Sequence, residues 1–158
     1  MAKVIVIYFS KTGNTKKMAE LVGEGVKNEG LEVALQSVDQ ATPEDLLNAD
    51  GIIIGSPTYF GTMAAPVKEL LDKSVKYFGK LNGKVGAAFS TSGILGGGNE
   101  TTVLDILKAF LIHGMIIQGE TAGGHYGPVA IGAPDDTCRQ ECLALGKRVA
   151  ALVKKLFS

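Results

Sequence analysis

Cysteine is scarce: the chain has only Cys138 and Cys142 among its 158 residues. Two cysteines make no disulfide framework. They stand four apart in a stretch of helical spacing and share one face, so they read as reduced helix side chains. A metal there would need two further ligands that no spacing supplies, and no metal site is expected. Excess charge is also missing, since 16 Lys and Arg balance 16 Asp and Glu. That balance implies neither a strongly basic nucleic-acid face nor a strongly acidic one. No apolar run approaches the ~20 residues that cross a bilayer. The first apolar run stops at Ser10-Lys11 with no small-residue cleavage site, so neither a membrane span nor a signal peptide is expected, and the cytoplasm is the expected location. Two phosphate-binding motifs are lacking as well. Gly-x-Gly-x-x-Gly does not follow the first apolar run, and Gly-x-x-x-x-Gly-Lys-Ser/Thr occurs nowhere, so dinucleotide and P-loop nucleotide readings lose ground.

What is present is a globular composition, 46% hydrophobic and 20% charged. The length suits one domain over residues 1–158 with a real core. The stretch that organises it is Ser10-Lys11-Thr12-Gly13-Asn14-Thr15. It follows the continuous apolar run Val4 to Phe9 and precedes Met18, Leu21, Val22 and Val26 at helical spacing. A strand, a hydroxyl-rich turn and a helix start are thus placed in series. A helix start offers unpaired N–H groups and the positive end of a dipole. Ser10, Thr12, Asn14 and Thr15 add side-chain donors, and Gly13 permits positive φ or close approach. Ordinary helix caps use the same residue types, but four such side chains in six positions favour a phosphate monoester.

The remaining chain alternates strands and helices. After a helix stop at Gly30, Glu32 to Val38 reads as a second strand. Thr42-Pro43-Glu44 opens a short helix. Gly51 to Gly55 is a third strand, apolar on both faces and so buried in a parallel sheet. Pro66 opens a helix with Val67, Leu70, Leu71, Ser74 and Phe78 on its inner face, ending near Gly79. Lys84 to Ser90 is a fourth strand. Glu100 to His113 is a helix with Val103, Ile106, Leu107, Phe110 and Leu111 inward, and Met115 to Ile117 is a fifth strand. Asp135 and Asp136 open the last helix, whose inner face is Cys142, Leu145, Val149, Leu152 and Leu156. The pattern specifies an α/β domain with a parallel sheet covered on both faces.

Two long Gly-rich stretches remain, Thr91 to Asn99 and Gly119 to Pro134. Both follow strands and so fall at the carboxyl edge of the sheet, where ligands of open α/β folds bind. The loop after the third strand, Ser56 to Met63, brings Tyr59 and Phe60 to the same edge, which suits a flat ring ligand.

These residues resemble the flavodoxin-like FMN proteins. Ser10 to Thr15 is similar to the flavodoxin Ser/Thr-x-Thr-Gly-x-Thr phosphate loop. The later segments Gly55-Ser56-Pro57-Thr58-Tyr59-Phe60-Gly61-Thr62-Met63, Gly96-Gly97-Gly98-Asn99-Glu100-Thr101-Thr102, His113-Gly114-Met115 and Tyr126-Gly127-Pro128 are more similar to the tryptophan-repressor-binding-protein type of NAD(P)H:quinone oxidoreductase. The resemblance implies a three-layer flavodoxin-like fold with a five-stranded parallel sheet in the order 2-1-3-4-5, and FMN as cofactor. Ser10, Lys11, Thr12, Gly13, Asn14 and Thr15 would hold its phosphate. Pro57, Thr58, Tyr59, Phe60 and Gly61 would border the isoalloxazine. Ser90, Thr91, Ser92, Gly93, Gly96 and Gly97 would cover its pyrimidine side. His113 would face the redox site, from the same chain or from a neighbouring subunit of a homo-oligomer; a helix C-terminal cation on the dipole is its plainer role.

Tyr59 stands where those reductases have Arg, and the chain is shorter than they are. The implied function is two-electron NAD(P)H:quinone reduction. Two alternatives stand beside it: a flavodoxin-type electron carrier serving protein partners, and a regulatory or scaffold protein without turnover. No role is implied in binding nucleic acid.

Overall fold

The computed structural model describes all residues, 1–158. Strand β1 (Lys3–Tyr8) is buried on both faces through Val4, Ile5, Val6 and Ile7, as the centre of a parallel sheet demands. Helix α1 (Asn14–Asn28) follows, then β2 (Glu32–Ser37) and the short helix α2 (Pro43–Asn48). At α2, Thr42 and Asp45 form a reciprocal capping box, with the Thr42 N–H donating to Asp45 Oδ2 at 2.7 Å. Strand β3 (Gly51–Tyr59) turns back into the two-residue strand β4 (Thr62–Met63) and leads to helix α3 (Ala65–Lys73), extended by a 3-10 turn over Ser74–Tyr77. Strand β5 (Val85–Ser92), helix α4 (Asn99–Ile112), strands β6 (Ile116–Ile117) and β7 (Val129–Ile131), and helix α5 (Asp136–Phe157) complete the chain.

The main sheet runs β2-β1-β3-β5-β6, and all its neighbours pair parallel. With the hairpin strand β4 set aside, this is the expected order 2-1-3-4-5. The fifth position is in two pieces. Ile116–Ile117 pairs with Val85–Gly86, and Val129–Ile131 pairs with Ser90–Ser92 further along the same strand. The second piece lies within the stretch expected to be loop, because three residues between Gly and Pro are too few to show alternation.

Alternate residues of each strand face opposite layers. Val4, Val6, Ile53 and Phe89 pack with Met18, Val22, Cys142, Leu145 and Val149 under α1 and α5. Ile5, Ile7, Ile52 and Ile54 pack with Leu46, Leu71, Ile106 and Phe110 under α2, α3 and α4. Each large apolar side chain withdrawn from water there contributes about 1.5–3 kcal/mol.

Three expected core positions lie outside. Phe78 and Leu111 are exposed, since the 3-10 turn replaces the last turn of the expected helix at Phe78 and Leu111 points away from the sheet. Leu156 is exposed too, because it lies beyond Val153, the last residue of α5 buried in the core under this layer. No helix is long and apolar enough to cross a membrane.

Helices α1 and α5 touch at backbone distance. A Cβ on Gly146 would lie 2.0 Å from the Val22 carbonyl oxygen, and one on Gly25 would lie 2.2 Å from that of Leu143. Neither obstacle is a flexible side chain. Gly146→Ala is therefore expected to lower stability by about 1–3 kcal/mol through overpacking, read as a lower urea midpoint at unchanged m-value.

Candidate functional site

The parallel register places the carboxyl ends of β1, β3 and β5 side by side. Tyr8 pairs with Gly55, and Ser56 and Pro57 pair with Ser90 and Thr91. Three loops therefore meet at one edge: residues 10–13, the β3–β4 hairpin, and residues 93–98.

In the first loop, Gly13 takes φ 100° as the residue before α1, and no side chain caps the helix. Lys17 N–H bonds the Gly13 carbonyl, while the N–H groups of Asn14, Thr15 and Lys16 have no intramolecular partner. They are the orphan donors of a helix start, gathered where the dipole is positive. Ser10 Oγ accepts from Gly13 N–H at 3.1 Å, which shapes the turn. Thr12 and Lys11 are exposed and Asn14 is half-buried. Thr15 is different: it is buried, and its hydroxyl lies 2.9 Å from that of Thr91. Its side chain ties two loops together, so what it offers a ligand is its N–H.

The hairpin tip is strained. Phe60 is the one non-glycine residue with positive φ, at 50°, and Gly61 follows at 82°. Two positive-φ residues between paired strands form the mirror-image turn that matches strand twist, a place where Asn and Gly are normal and Phe is costly. The Phe60 ring projects fully into solvent. Tyr59 is half-exposed and meets Phe9 edge-on, with ring centroids 6.3 Å apart. Ile94 and Leu95 stand exposed on the third loop. A strained aromatic held out to water, with further exposed apolar side chains on the neighbouring loop, leaves uncovered apolar surface at this edge.

Hydroxyl groups brace these loops. Thr58 Oγ1 lies 3.1 Å from both Ser90 Oγ and Thr102 Oγ1. Thr101 Oγ1 donates to the carbonyls of Gly98 at 2.9 Å and Gly61 at 3.2 Å. Thr62 Oγ1 donates to Asp105 Oδ2 at 2.7 Å, and Asn99 Nδ2 donates to Ser92 Oγ at 2.9 Å. Ser90, Thr91 and Ser92 thus belong to the buried end of β5, and their side chains serve the scaffold. The loop surface open to a ligand is Gly93 to Gly98. Thr62, Asn99, Thr101 and Thr102 stand in the segments that carry the resemblance but were given no role from the sequence, and Asp105 gave no signal at all.

No Asp or Glu occurs in residues 10–17, 56–63 or 90–98, and α1 carries no acid in its first turn. With Lys11, Lys16 and Lys17 exposed, the edge is neutral to positive and suits an anionic ligand. No group of three or more His, Cys, Asp or Glu side chains is placed to hold a metal ion.

His113 is not brought to this edge. It ends α4, and the strand that follows pairs with the first residues of β5, so it lies at the opposite edge of the sheet from the loops of its own chain. It is buried. Ser74 Oγ donates to the Leu71 carbonyl at 2.6 Å and lies 2.8 Å from His113 Nε2. The network therefore assigns the ring proton to Nε2 and leaves Nδ1 buried without a partner. Burial pushes its pKa below the ordinary histidine value. Within its own chain it lines a cleft between α3 and α4, with the Phe78 ring centroid 6.3 Å away.

A doubly wound sheet in this order, with a hydroxyl-rich first turn and an aromatic hairpin at its carboxyl edge, defines a flavodoxin-like protein. Residues 40–126 match the NADPH-dependent FMN reductase family, and the chain belongs to that family of flavodoxin-like FMN proteins. It is 44% identical over 162 residues to a protein from Aquifex aeolicus named flavodoxin, covering 97% of this chain and 88% of that one. It is 36% identical to an NAD(P)H dehydrogenase (quinone) from Archaeoglobus fulgidus, covering 99% and 100%. That alignment spans 190 positions against 158 residues here, so the relative carries segments this chain lacks. Among solved structures, a WrbA-like flavodoxin from Agrobacterium tumefaciens superposes with a TM-score of 0.83 at 28% identity, over 99% of both chains. A flavodoxin from the domain Archaea gives 0.80 at 31% identity, over 96% and 99%.

Two outcomes follow from this geometry. Phe60→Gly is expected to stabilise the chain by roughly 0.5–1 kcal/mol by relieving the positive-φ strain, read from the denaturant midpoint. His113 has a depressed folded-state pKa, so the unfolded chain binds its proton first and stability falls as pH drops below about 6.5. His113→Asn is expected to flatten that part of the pH–stability curve, measured by thermal unfolding at pH 5 to 8.

Proposed function

We propose that the protein binds FMN at the β1–β3–β5 edge and catalyses two-electron reduction of a quinone by NAD(P)H. The observation that carries this reading is the pairing of unpartnered N–H groups at the start of α1 with the strained aromatic tip at Phe60, on loops that carry no acids. The N–H groups of Asn14, Thr15 and Lys16, with the side chains of Ser10, Thr12 and Asn14, would hold the phosphate dianion. Charge-assisted bonds to such donors are about twice as strong as neutral ones, and Lys11, Lys16 and Lys17 add a favourable field. Tyr59, Phe60 and Gly61, with Pro57 and Thr58 behind them, would border the ring system. The small residues Gly93, Gly96 and Gly97 leave room over it for a substrate. Bound FMN supplies the relay that accepts a hydride equivalent and passes on its two electrons. The balance is one hydride from NAD(P)H and one proton from solvent, giving NAD(P)⁺ and hydroquinone. His113 takes no part within one chain.

The relatives named NAD(P)H dehydrogenase (quinone) support this reading. A second reading is an electron carrier between proteins, favoured by the Aquifex relative named flavodoxin, whose alignment of 162 residues is close to this chain in length. The reductase reading is supported by the lack of Asp and Glu in residues 10–17, 56–63 and 90–98, where acids would steer a basic protein partner, with Glu100 and Asp105 standing just beyond them on α4.

Titration of flavin-free protein with FMN and riboflavin tests the site. FMN is expected to bind at least about tenfold more tightly, because riboflavin leaves the orphan donors unpaired. Asn14→Ala is expected to weaken FMN binding by about three- to tenfold with little change for riboflavin. Steady-state oxidation of NADH and NADPH with benzoquinone as acceptor then tests the reaction. Negligible turnover by FMN-loaded protein would favour the carrier.

A further inference from the structure

A cleft of about 760 Å³ opens on the α3–α4 face, away from the phosphate loop. Its volume is in the range of small-molecule sites. Leu71, Val75, Phe78, Ala109 and Ile112 line its walls, and Val75, Phe78 and Ile112 are 69%, 65% and 73% exposed. Three large apolar side chains left to water in one groove are more than scatter. The charges at the rim cancel within each helix: Lys68 pairs with Asp72 at 2.7 Å and Lys108 with Asp105 at 2.8 Å. The cleft therefore offers a phosphate-bearing nucleotide no net attraction, and it suits an uncharged hydrocarbon.

The upper end of the cleft is formed by Thr62 and Met63. These are the residues of β4, and Thr62 pairs directly with Tyr59. The groove thus begins under the hairpin whose tip borders the proposed ring site. It runs down α4 from Asp105 to Ile112, about 10 Å at the helical rise. That length accommodates an extended chain of roughly eight to ten carbons.

We propose that this cleft is a subsite for the hydrocarbon tail of a lipophilic quinone whose head is reduced beside Phe60 and Gly61. The substrate class rests on the quinone-reductase reading; the tail site rests on the cleft. Continuity with the hairpin, an apolar lining and a charge-balanced rim are the three features a tail requires.

The test uses two quinones with the same dimethoxy-methyl head, one bearing a decyl tail and one without it. With flavin-free protein, the methyl NMR signals of Leu71, Val75 and Ile112 are expected to shift with the tailed quinone and not with the other. With FMN-loaded protein, kcat/KM is expected to be about tenfold or more higher for the tailed quinone, as burial of a few methylenes would give. The double variant Val75→Asp/Ile112→Asp, at two exposed positions, is expected to abolish that preference and leave the tail-less quinone unchanged. Ile112→Lys alone is expected to reduce it in the same sense should the double variant fold poorly. Equal kcat/KM for the two quinones, or methyl shifts that follow protein concentration and not the tailed quinone, would overturn the tail site; the second result would assign the cleft to another copy of the chain. No turnover of either quinone would overturn the reductase reading instead, with the methyl shifts still deciding whether the cleft takes a hydrocarbon chain.

Discussion

The parallel register between β1, β3 and β5 is the constraint on which the rest of the molecule depends. It sets Tyr8 beside Gly55 and Pro57 beside Thr91. Every loop that leaves those strands forward must therefore start from the same line. Right-handed crossovers then return each chain segment as a helix, so α1 and α4 begin at the edge where the loops gather. The hydroxyl contacts Thr15–Thr91, Thr58–Ser90 and Thr58–Thr102 lock the loops to one another across sequence separations of 76, 32 and 44 residues. A site on loops gains the precision of a site on strands by this means.

The same edge holds two local features that folding alone does not favour. The first turn of α1 has no side-chain cap, although caps are worth about 1 kcal/mol and the sequence is rich in capping residues there. Phe60 holds a left-handed backbone conformation that glycine would take without strain. Both make sense together if the missing partners belong to a ligand: an anion for the N–H groups and a planar ring for the aromatic. The clear absence of acids from the three loops agrees with the first. In such sites local stability is given up where an external group will restore it.

The two layers over the sheet are closed to different degrees. Helices α1 and α5 meet at Gly25 and Gly146 with backbone against backbone, and the hollow beside them, lined by Lys17, Glu20, Leu21, Glu24 and Arg139, is mostly polar. Helices α3 and α4 carry no such glycines at their facing positions. The 3-10 turn at Ser74–Tyr77 then shifts Phe78 off the core. An open, apolar groove results, with its upper end at the β3–β4 hairpin. The closed layer holds α1 at Val22 to Val26, where its backbone meets that of α5. The open layer is where the molecule has apolar surface still to cover.

The fold was legible in the sequence because apolar runs fully buried in a parallel sheet need neither partner nor loop to be recognised. Val4–Ile7, Ile52–Ile54 and Val85–Phe89 announce themselves, and the turn Ser10 to Thr15 announces a helix start with spare donors. The short strand Val129–Ile131 and the hairpin strand Thr62–Met63 were hidden, because two or three residues acquire strand geometry only from the neighbour they pair with. The tertiary structure also decided which polar side chains face a ligand and which hold the loops. Ser90, Thr91, Ser92 and Thr15 have the composition of a binding site, yet their hydroxyls are buried at the end of β5 or against it. Composition lists the donors along the chain, but a hydroxyl satisfies whatever acceptor is nearest in space, and only packing fixes that. His113 shows the same limit, since its distance from the phosphate loop follows from the length of α4, which carries it to the far edge of the sheet.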